Sequence, residues 1–193
     1  MNTHGIGCVV MASGGATRFG DNKLVLELDG RSLIRRALEA VPEAMFRTVA
    51  VVSPYGAVLA LAREFGFLPV VNDAPGLGVS HTIALGLEAL GEVDGALFLV
   101  SDQPLLRRES VERLVRLWRE RPERIAALGH GGVRGNPCLF PARYFPELRA
   151  LTGDRGGNGV IRRHEEALVL LEVPAEELTD VDTPQALEGL RRP

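Results

Sequence analysis

Residues 6–23, IGCVVMASGGATRFGDNK, carry the reading that decides the fold. Ile6 to Ala12 form a short apolar run rich in β-branched residues, and Gly14, Gly15 and Gly20 then break it. Such a run reads as a buried strand that ends in a tight, glycine-rich turn. Helical spacing follows at Leu33, Ala37, Leu38 and Val41. The same alternation continues along the chain. Residues 48–53 (TVAVVS), 68–71 and 95–101 (GALFLVS) read as strands. Residues 57–65, 80–90 and 110–121 read as helices, the last with Val111, Leu114, Val115 and Trp118 on one stripe. Strands alternating with helices predict βαβ units. The expected fold is therefore a three-layer, Rossmann-like α/β fold: a mostly parallel sheet with helices on both faces.

Beyond residue 121 the rhythm changes. Residues 125–128 and 138–140 flank a glycine-rich turn at 130–135 and read as a hairpin or short antiparallel insertion. A short helix near 142–151, a glycine-rich loop at 153–159 and a helix to about His164 follow. A strand at 168–173 and a helix from Pro184 complete the pattern. No linker, compositional shift or internal repeat divides the chain, so a single domain is expected over residues 1–193.

Composition narrows the function. With 46% hydrophobic and 24% charged residues, the 193-residue chain can build an ordinary core, which argues against a disordered tail or a disulfide-stapled secreted module. A formal net charge of −3 and 5% aromatic residues argue against a nucleic-acid partner. Cys8 and Cys138 sit in apolar stretches without a C-x-x-C neighbour and read as buried, reduced thiols. The opening MNTHGIG lacks the pattern of a signal peptide, and no apolar run approaches the ~18 residues of a membrane span, so a cytoplasmic protein is expected. Lys23 is the lone lysine beside 21 arginines. Arginine bias accounts for the other cations and leaves this position to be explained.

In open α/β sheets, ligands bind at the carboxyl ends of the strands. After the first expected strand, the small residues of the 12–23 loop let backbone N–H groups cradle an anion, with Arg18 and Lys23 as cations. The loop is neither G-x-G-x-x-G nor a Walker A sequence, and a plain turn with two solvated cations would read the same way. After GALFLV comes Ser101-Asp102-Gln103-Pro104, where a carboxylate at a strand end suits a hard divalent cation such as Mg²⁺. Thr179-Asp180-Val181-Asp182-Thr183-Pro184 offers a second carboxylate, although Asp182 or Thr183 could instead cap the helix entered at Pro184. Two carboxylates from separate strand ends are what metal-assisted phosphoryl or nucleotidyl transfer needs. His81 and His130 read as ordinary surface or loop histidines.

Six segments together resemble a known family. MASGGATRFGDNK is similar to the L-A-A-G-x-S-x-R-x-G-x-x-K loop of the molybdenum cofactor cytidylyl- and guanylyltransferases, the molybdopterin nucleotidyltransferases or MobA-like NTP transferases. LVLELDGRSLIRRAL, NDAPGLGVSHTIALGL, DGALFLVSDQPLL, RGNPCLFPARYFPELRALTGDRGGNGVI and TDVDTPQAL resemble the family's later segments, in its order, over about residues 7–189. The resemblance implies a nucleotide-diphospho-sugar-transferase-like fold, an NTP substrate and Mg²⁺. It implies that Ala12, Ser13, Gly14 and Gly15 touch the nucleotide, and that Arg18 and Lys23 hold its triphosphate. By the same resemblance Asp102 binds the metal with Asp182, and Asn72, Asp73 and Ser80 face base and ribose. Asp154 and Arg155 would stand near the acceptor, a pterin or its phosphate. Ala16 departs from the family's usual serine and Ser13 from its usual alanine, while Val79 and His81 flank Ser80 in an unusual way.

The implied reaction moves CMP from CTP onto the phosphate of molybdopterin and releases pyrophosphate. Gly20-Asp21-Asn22-Lys23 and the later segments look closer to the cytidylyl than to the guanylyl type, which usually reads G-G-x-D-K. Guanylyl or another NTP transfer is the alternative. A non-catalytic partner that carries cofactor to a molybdoenzyme or its maturation factor is a further one, and Arg18, Lys23, Asp102 and Asp182 argue for catalysis against it.

Overall fold

The computed structural model describes residues 5–14 and 23–191. Its elements in chain order begin with β1 (Ile6–Met11), β2 (Glu27–Leu28), β3 (Arg31–Ser32), α1 (Leu33–Glu39), β4 (Thr48–Ser53), α2 (Gly56–Glu64) and β5 (Leu68–Val71). Then come α3 (Val79–Leu90), β6 (Gly95–Val100), α4 (Arg108–Glu120), β7 (Ile125–His130) and β8 (Val133–Pro141). The chain closes with α5 (Phe145–Arg149), α6 (Asn158–Arg163), β9 (Leu168–Glu172) and α7 (Pro184–Leu190).

A seven-stranded sheet in the order β5-β4-β1-β6-β8-β7-β9 forms the middle layer. All its neighbours are parallel except the two pairs that involve β8. The cause is local. Gly131 and Gly132, at φ of 58° and 77°, turn the chain back on itself within two residues, which leaves no room for a crossover helix. The turn is thus shorter than residues 130–135. The stretch is no insertion either, because β8 is built into the sheet between β6 and β7. A second hairpin, β2–β3, turns at Asp29-Gly30 with φ of 52° and 74°, and its Asp-Gly pair is a readable signal.

Residues one apart in β1 point to opposite faces. Cys8 and Val10 join Ile34 and Leu38 of α1, Val58 and Ala62 of α2, and Leu114 and Val115 of α4. Val9, with Ala50 and Phe98, joins Ile83 and Leu87 of α3, Phe145 and Leu148 of α5, and Val160 and Ile161 of α6. Each face is therefore covered by helices, and the β-branched inner strands β1 and β4 are buried on both sides. Helix α3 approaches β1 closely because Gly86 has no side chain: a Cβ there would come within 2.5 Å of Val9.

A small third cluster of Leu28, Leu33, Val181 and Leu187 ties the β2–β3 hairpin to α7 and the segment before it. At the opposite end of the sheet, Trp118 of α4 donates from Nε1 to the Arg124 carbonyl at 3.0 Å. Its indole lies over Gly95, where a Cβ would come within 2.8 Å. Cys8 and Cys138 are free and buried, and burial pushes both thiols up. Among the described residues no helix is long and apolar enough to cross a membrane.

Candidate active site

Three strand ends meet at the carboxyl edge of the sheet. Chain just past β1 is fastened by its neighbours: the Ala12 N–H donates to the Val52 carbonyl at 2.9 Å, and Ser53 Oγ donates to the Ala12 carbonyl at 2.8 Å. Ser101 Oγ donates to the Met11 carbonyl at 2.9 Å, and Ser13 Oγ to the Val52 carbonyl at 3.2 Å. These hydroxyls satisfy main-chain acceptors of β1 and β4, so the Ser13 hydroxyl is already engaged. Gly14 opens onto a cavity of about 290 Å³, and a Cβ there would meet nothing within 4 Å. Ser13 and Gly14 line this cavity, while Ala12 is fully buried behind them. Gly15 and Arg18 lie outside the described residues.

The far wall is the first turn of α3, with Gly78, Val79 and Thr82, backed by Asp154. Gly78 sits at φ 84°, and a Cβ on it would fall 2.5 Å from the Gly153 backbone and 2.6 Å from Asp154 Oδ1. The Ser80 N–H completes the junction by donating to the Gly153 carbonyl at 3.1 Å. Loop 153–154 is thereby locked to this wall. Only glycine provides both the backbone angle and the space.

Three residues expected to face base and ribose do not line this cavity. Asn72 is buried and does not line the cavity. Its Nδ2 donates to Thr82 Oγ1 at 3.3 Å and its Oδ1 accepts from the Ala74 N–H at 3.2 Å, which props the turn that delivers α3. Ser80 is buried at the loop junction. Asp73 is exposed, 3.6 Å from His81 Nε2. Thr82, Gly78 and Val79 form the wall instead; the pattern G-L-G-V-S-H-T marks the helix start but not which of its faces looks inward. Arg155 lies in a neighbouring cavity with Arg162 and Gly159.

At the base of the cavity the lone lysine meets both expected metal carboxylates. Lys23 Nζ is 3.0 Å from Asp102 Oδ2 and 2.9 Å from Asp182 Oδ1, and donates to the Val181 carbonyl at 3.0 Å. Burial works to lower the lysine's pKa, but Asp102 and Asp182 together outweigh it and the net shift is upward. The ammonium therefore remains charged. Asp102 reaches this point directly from β6. Asp182 arrives by a longer route than expected, because a helical turn, Ala175–Leu178, intervenes after β9. The segment is pinned where the Val181 N–H donates to the Asp102 carbonyl at 2.8 Å.

The competing role for Asp182 is filled by its neighbour. Thr183 Oγ1 accepts from the Ala186 N–H at 3.1 Å and caps α7, with Pro184 at its first position. Asp182 is left to the site. Asp180, two residues earlier, has its pKa raised, first by burial and also by the nearby Asp102 and Asp182 charges, against a bond from Gln103 Nε2 at 2.9 Å.

The donor set suits a hard divalent cation. No group of three or more His, Cys, Asp or Glu side chains forms an all-protein cage among the described residues. Two carboxylates converging on one cation, beside a space for phosphate oxygens, is the arrangement typical for Mg²⁺ or Mn²⁺ held jointly with a nucleotide.

Comparison with known proteins shows the family and the fold. The profile of the MobA-like NTP transferase domain matches residues 8–168. The purine catabolism protein PucB of Bacillus subtilis is 30% identical over 201 residues, covering 95% of both chains. A probable molybdenum cofactor guanylyltransferase of the same organism is 28% identical over 142 residues, covering 72% of this chain and 69% of its own. Rv0371c of Mycobacterium tuberculosis shares the fold, with a TM-score of 0.82, 22% identity and 98% of each chain covered.

Proposed function

For a chain that belongs to the family of MobA-like NTP transferase domains, and is thus a nucleotidyltransferase, we propose transfer of CMP from CTP onto the phosphate of molybdopterin. Residues 1–193 act as one such domain, and the protein works in the cytoplasm. The observation that carries the reading is the meeting of Lys23, Asp102 and Asp182 at the base of a cavity walled by the Ser13–Gly14 backbone. An oxygen of the acceptor phosphate forms a bond to the α-phosphorus of CTP. The bond from that phosphorus to the bridging oxygen breaks, and pyrophosphate leaves with the electron pair.

A phosphate monoester is mostly dianionic at neutral pH, its second pKa being about 6, so the attacking oxygen needs no general base. The chain's task is to align two anions and offset their charge. N–H groups of the Ser13–Gly14 turn face the triphosphate, and Lys23 and Arg18 supply positive charge to it. Asp102 and Asp182 would hold Mg²⁺, which supplies Lewis-acid charge to phosphate oxygens when bound. Rv0371c has also been crystallised as a complex with manganese, which accords with a divalent ion in this fold. In the ligand-free chain Lys23 pairs with both carboxylates and offsets one of their two charges. With a divalent cation held by Asp102 and Asp182, the Lys23 ammonium would be free to turn to the triphosphate.

Guanylyl transfer is the second reading, favoured by the guanylyltransferase relative. Calorimetry with CTP and with GTP, each with Mg²⁺, separates the two. Tighter binding of CTP, and pyrophosphate release when molybdopterin is added, is the expected result. Tighter GTP binding moves the assignment to guanylyl transfer, and binding of neither overturns nucleotide transfer itself.

A further inference from the structure

We propose that Gln103 and Glu177 are positioning residues. They fasten the stretch 177–182 to the stretch 102–107, so that Asp182 stays opposite Asp102 once a divalent cation replaces Lys23 between them. This rests on the nucleotidyltransferase reading above and adds which side chains keep its two carboxylates together.

Asp182 has little of its own to hold it. It lies in extended chain between the helical turn Ala175–Leu178 and α7, outside any helix or strand. Its side chain is 63% exposed, and among the described residues its carboxylate bonds only to Lys23 Nζ, at 2.9 Å. A cation that takes the place of the ammonium removes that tether. The position of Asp182 must then come from bonds made elsewhere.

Those bonds join two stretches that are far apart in sequence. The Val181 N–H donates to the Asp102 carbonyl at 2.8 Å. Gln103 Nε2 donates to Asp180 Oδ1 at 2.9 Å and to the Leu178 carbonyl at 3.3 Å. Glu177 Oε2 accepts from the Arg107 N–H at 3.1 Å, at the start of α4. Positions 177, 178, 180 and 181 are thus tied to 107, 103, 103 and 102. The Val181 bond is made by main chain alone, and the others depend on two side chains.

Neither side chain is explained by packing. Gln103 is 3% exposed and Glu177 1%, and burying an amide or a carboxylate costs stability unless its bonds repay the loss of water. Gln103 Oε1 is buried with no partner among the described residues, so this amide carries an added penalty. A methionine would fill similar space without it. What only the glutamine supplies is the donor pair of Nε2, and both of its bonds go to the stretch that carries Asp182.

The two residues also act from the right place. Asp102 lines the cavity of Lys23, whereas Gln103, the next residue, lines a separate cavity of about 500 Å³ with Arg134, Asn136 and Asp180. Asp102 and Gln103 form the boundary between these two spaces. Gln103 therefore steadies Asp182 through residues 178–180 without entering the space between the carboxylates. Groups that hold a ligand's backbone in this way govern metal affinity without touching the metal.

The test titrates Mn²⁺ alone into the wild type, Gln103→Met, Glu177→Met and Glu177→Gln, following free Mn²⁺ by electron paramagnetic resonance, with urea unfolding measured on each. Expected is a rise of roughly tenfold in the Mn²⁺ Kd for Gln103→Met and for Glu177→Met. Glu177→Gln keeps an acceptor for the Arg107 N–H and should recover most of the affinity. A merely structural role would shift the urea midpoints and leave the Kd of the folded chains unmoved. That result, or equal losses in Glu177→Met and Glu177→Gln, overturns the proposal. The two sites are separate, so either methionine variant serves if the other does not fold. A wild type that binds no Mn²⁺ is a different failure: it removes the metal-holding pair of the transferase reading, and the positioning role falls with it.

Discussion

The two sides of the Asp102–Gln103 boundary are built by different means. On the Asp102 side, parallel strands end together, and hydroxyls of Ser53, Ser101 and Ser13 occupy their carbonyls. Glycine surface at Gly14 and Gly78 lines that cavity together with the Lys23, Thr82, Asp102 and Asp154 side chains. On the other side β8 runs antiparallel, so its beginning, not its end, stands at the cleft, and side chains such as Arg134 and Asn136 form the wall. The parallel edge brings main chain and glycine surface to its cavity, and the reversed strand brings side chains to the other.

Five substitutions would break or sharpen this contrast. The largest effect is expected at the boundary itself. Asp102→Asn should lower pyrophosphate release by about 10²-fold or more, since charge stabilisation at the reacting phosphate is lost. A loss under tenfold would remove Asp102 from the chemistry.

Lys23→Met comes next. It leaves Asp102 and Asp182 facing each other, at a cost of about 2 kcal/mol, below the full range for a buried pair because Asp182 is 63% exposed at its side chain. Urea unfolding with and without Mg²⁺ checks this, with the divalent ion restoring more stability to the variant than to the wild type. The sign follows from the raised lysine pKa: the wild-type contribution is present below the ordinary value of 10.5 and lost only as pH rises through the higher folded value.

Gly78→Ala tests the joint between α3 and loop 153–154. Overlap with backbone at a positive φ should cost about 1–3 kcal/mol and weaken CTP binding, as read by thermal unfolding and calorimetry. Ser53→Ala removes the bond to the Ala12 carbonyl and should cost about 1 kcal/mol, again by urea unfolding.

Asp180→Asn is expected to have the smallest effect, and of opposite sign. Because the folded pKa of Asp180 lies above 3.8, the wild type loses stability as pH rises through that region. The asparagine variant keeps the acceptor for Gln103 and should melt slightly higher near neutral pH. The difference should close below pH 3.8, which a melting series over pH would show.

Much of the Asp102 side can be read from sequence. The strands at 48–53 and 68–71 coincide with β4 and β5: β4 is buried and leaves a continuous apolar run, while β5 is an edge strand whose short β-branched run still reads as extended. Lys23, Asp102 and Asp182 stand out by residue type and position, and they do meet. Side-chain direction is not legible in the same way. Asn72 and Ser80 lie in the motif beside the cavity yet serve the turn and the loop joint, while Thr82 faces inward. On the other side Gln103, Arg134 and Asn136 pass as ordinary residues. Their position depends on β8 entering between β6 and β7, a long-range pairing that periodicity does not encode.

The indole packed over Gly95 gives the protein an optical reporter of known address. Trp118 is the sole tryptophan, and Gly95 beneath it opens the six-residue strand β6, which runs about 20 Å towards the Asp102 end. Its emission should follow the loss of the core on unfolding and stay constant when ligands fill the cleft. Fluorescence and ligand titration thus become independent channels, and a variant's folding can be scored in the same cuvette as its binding.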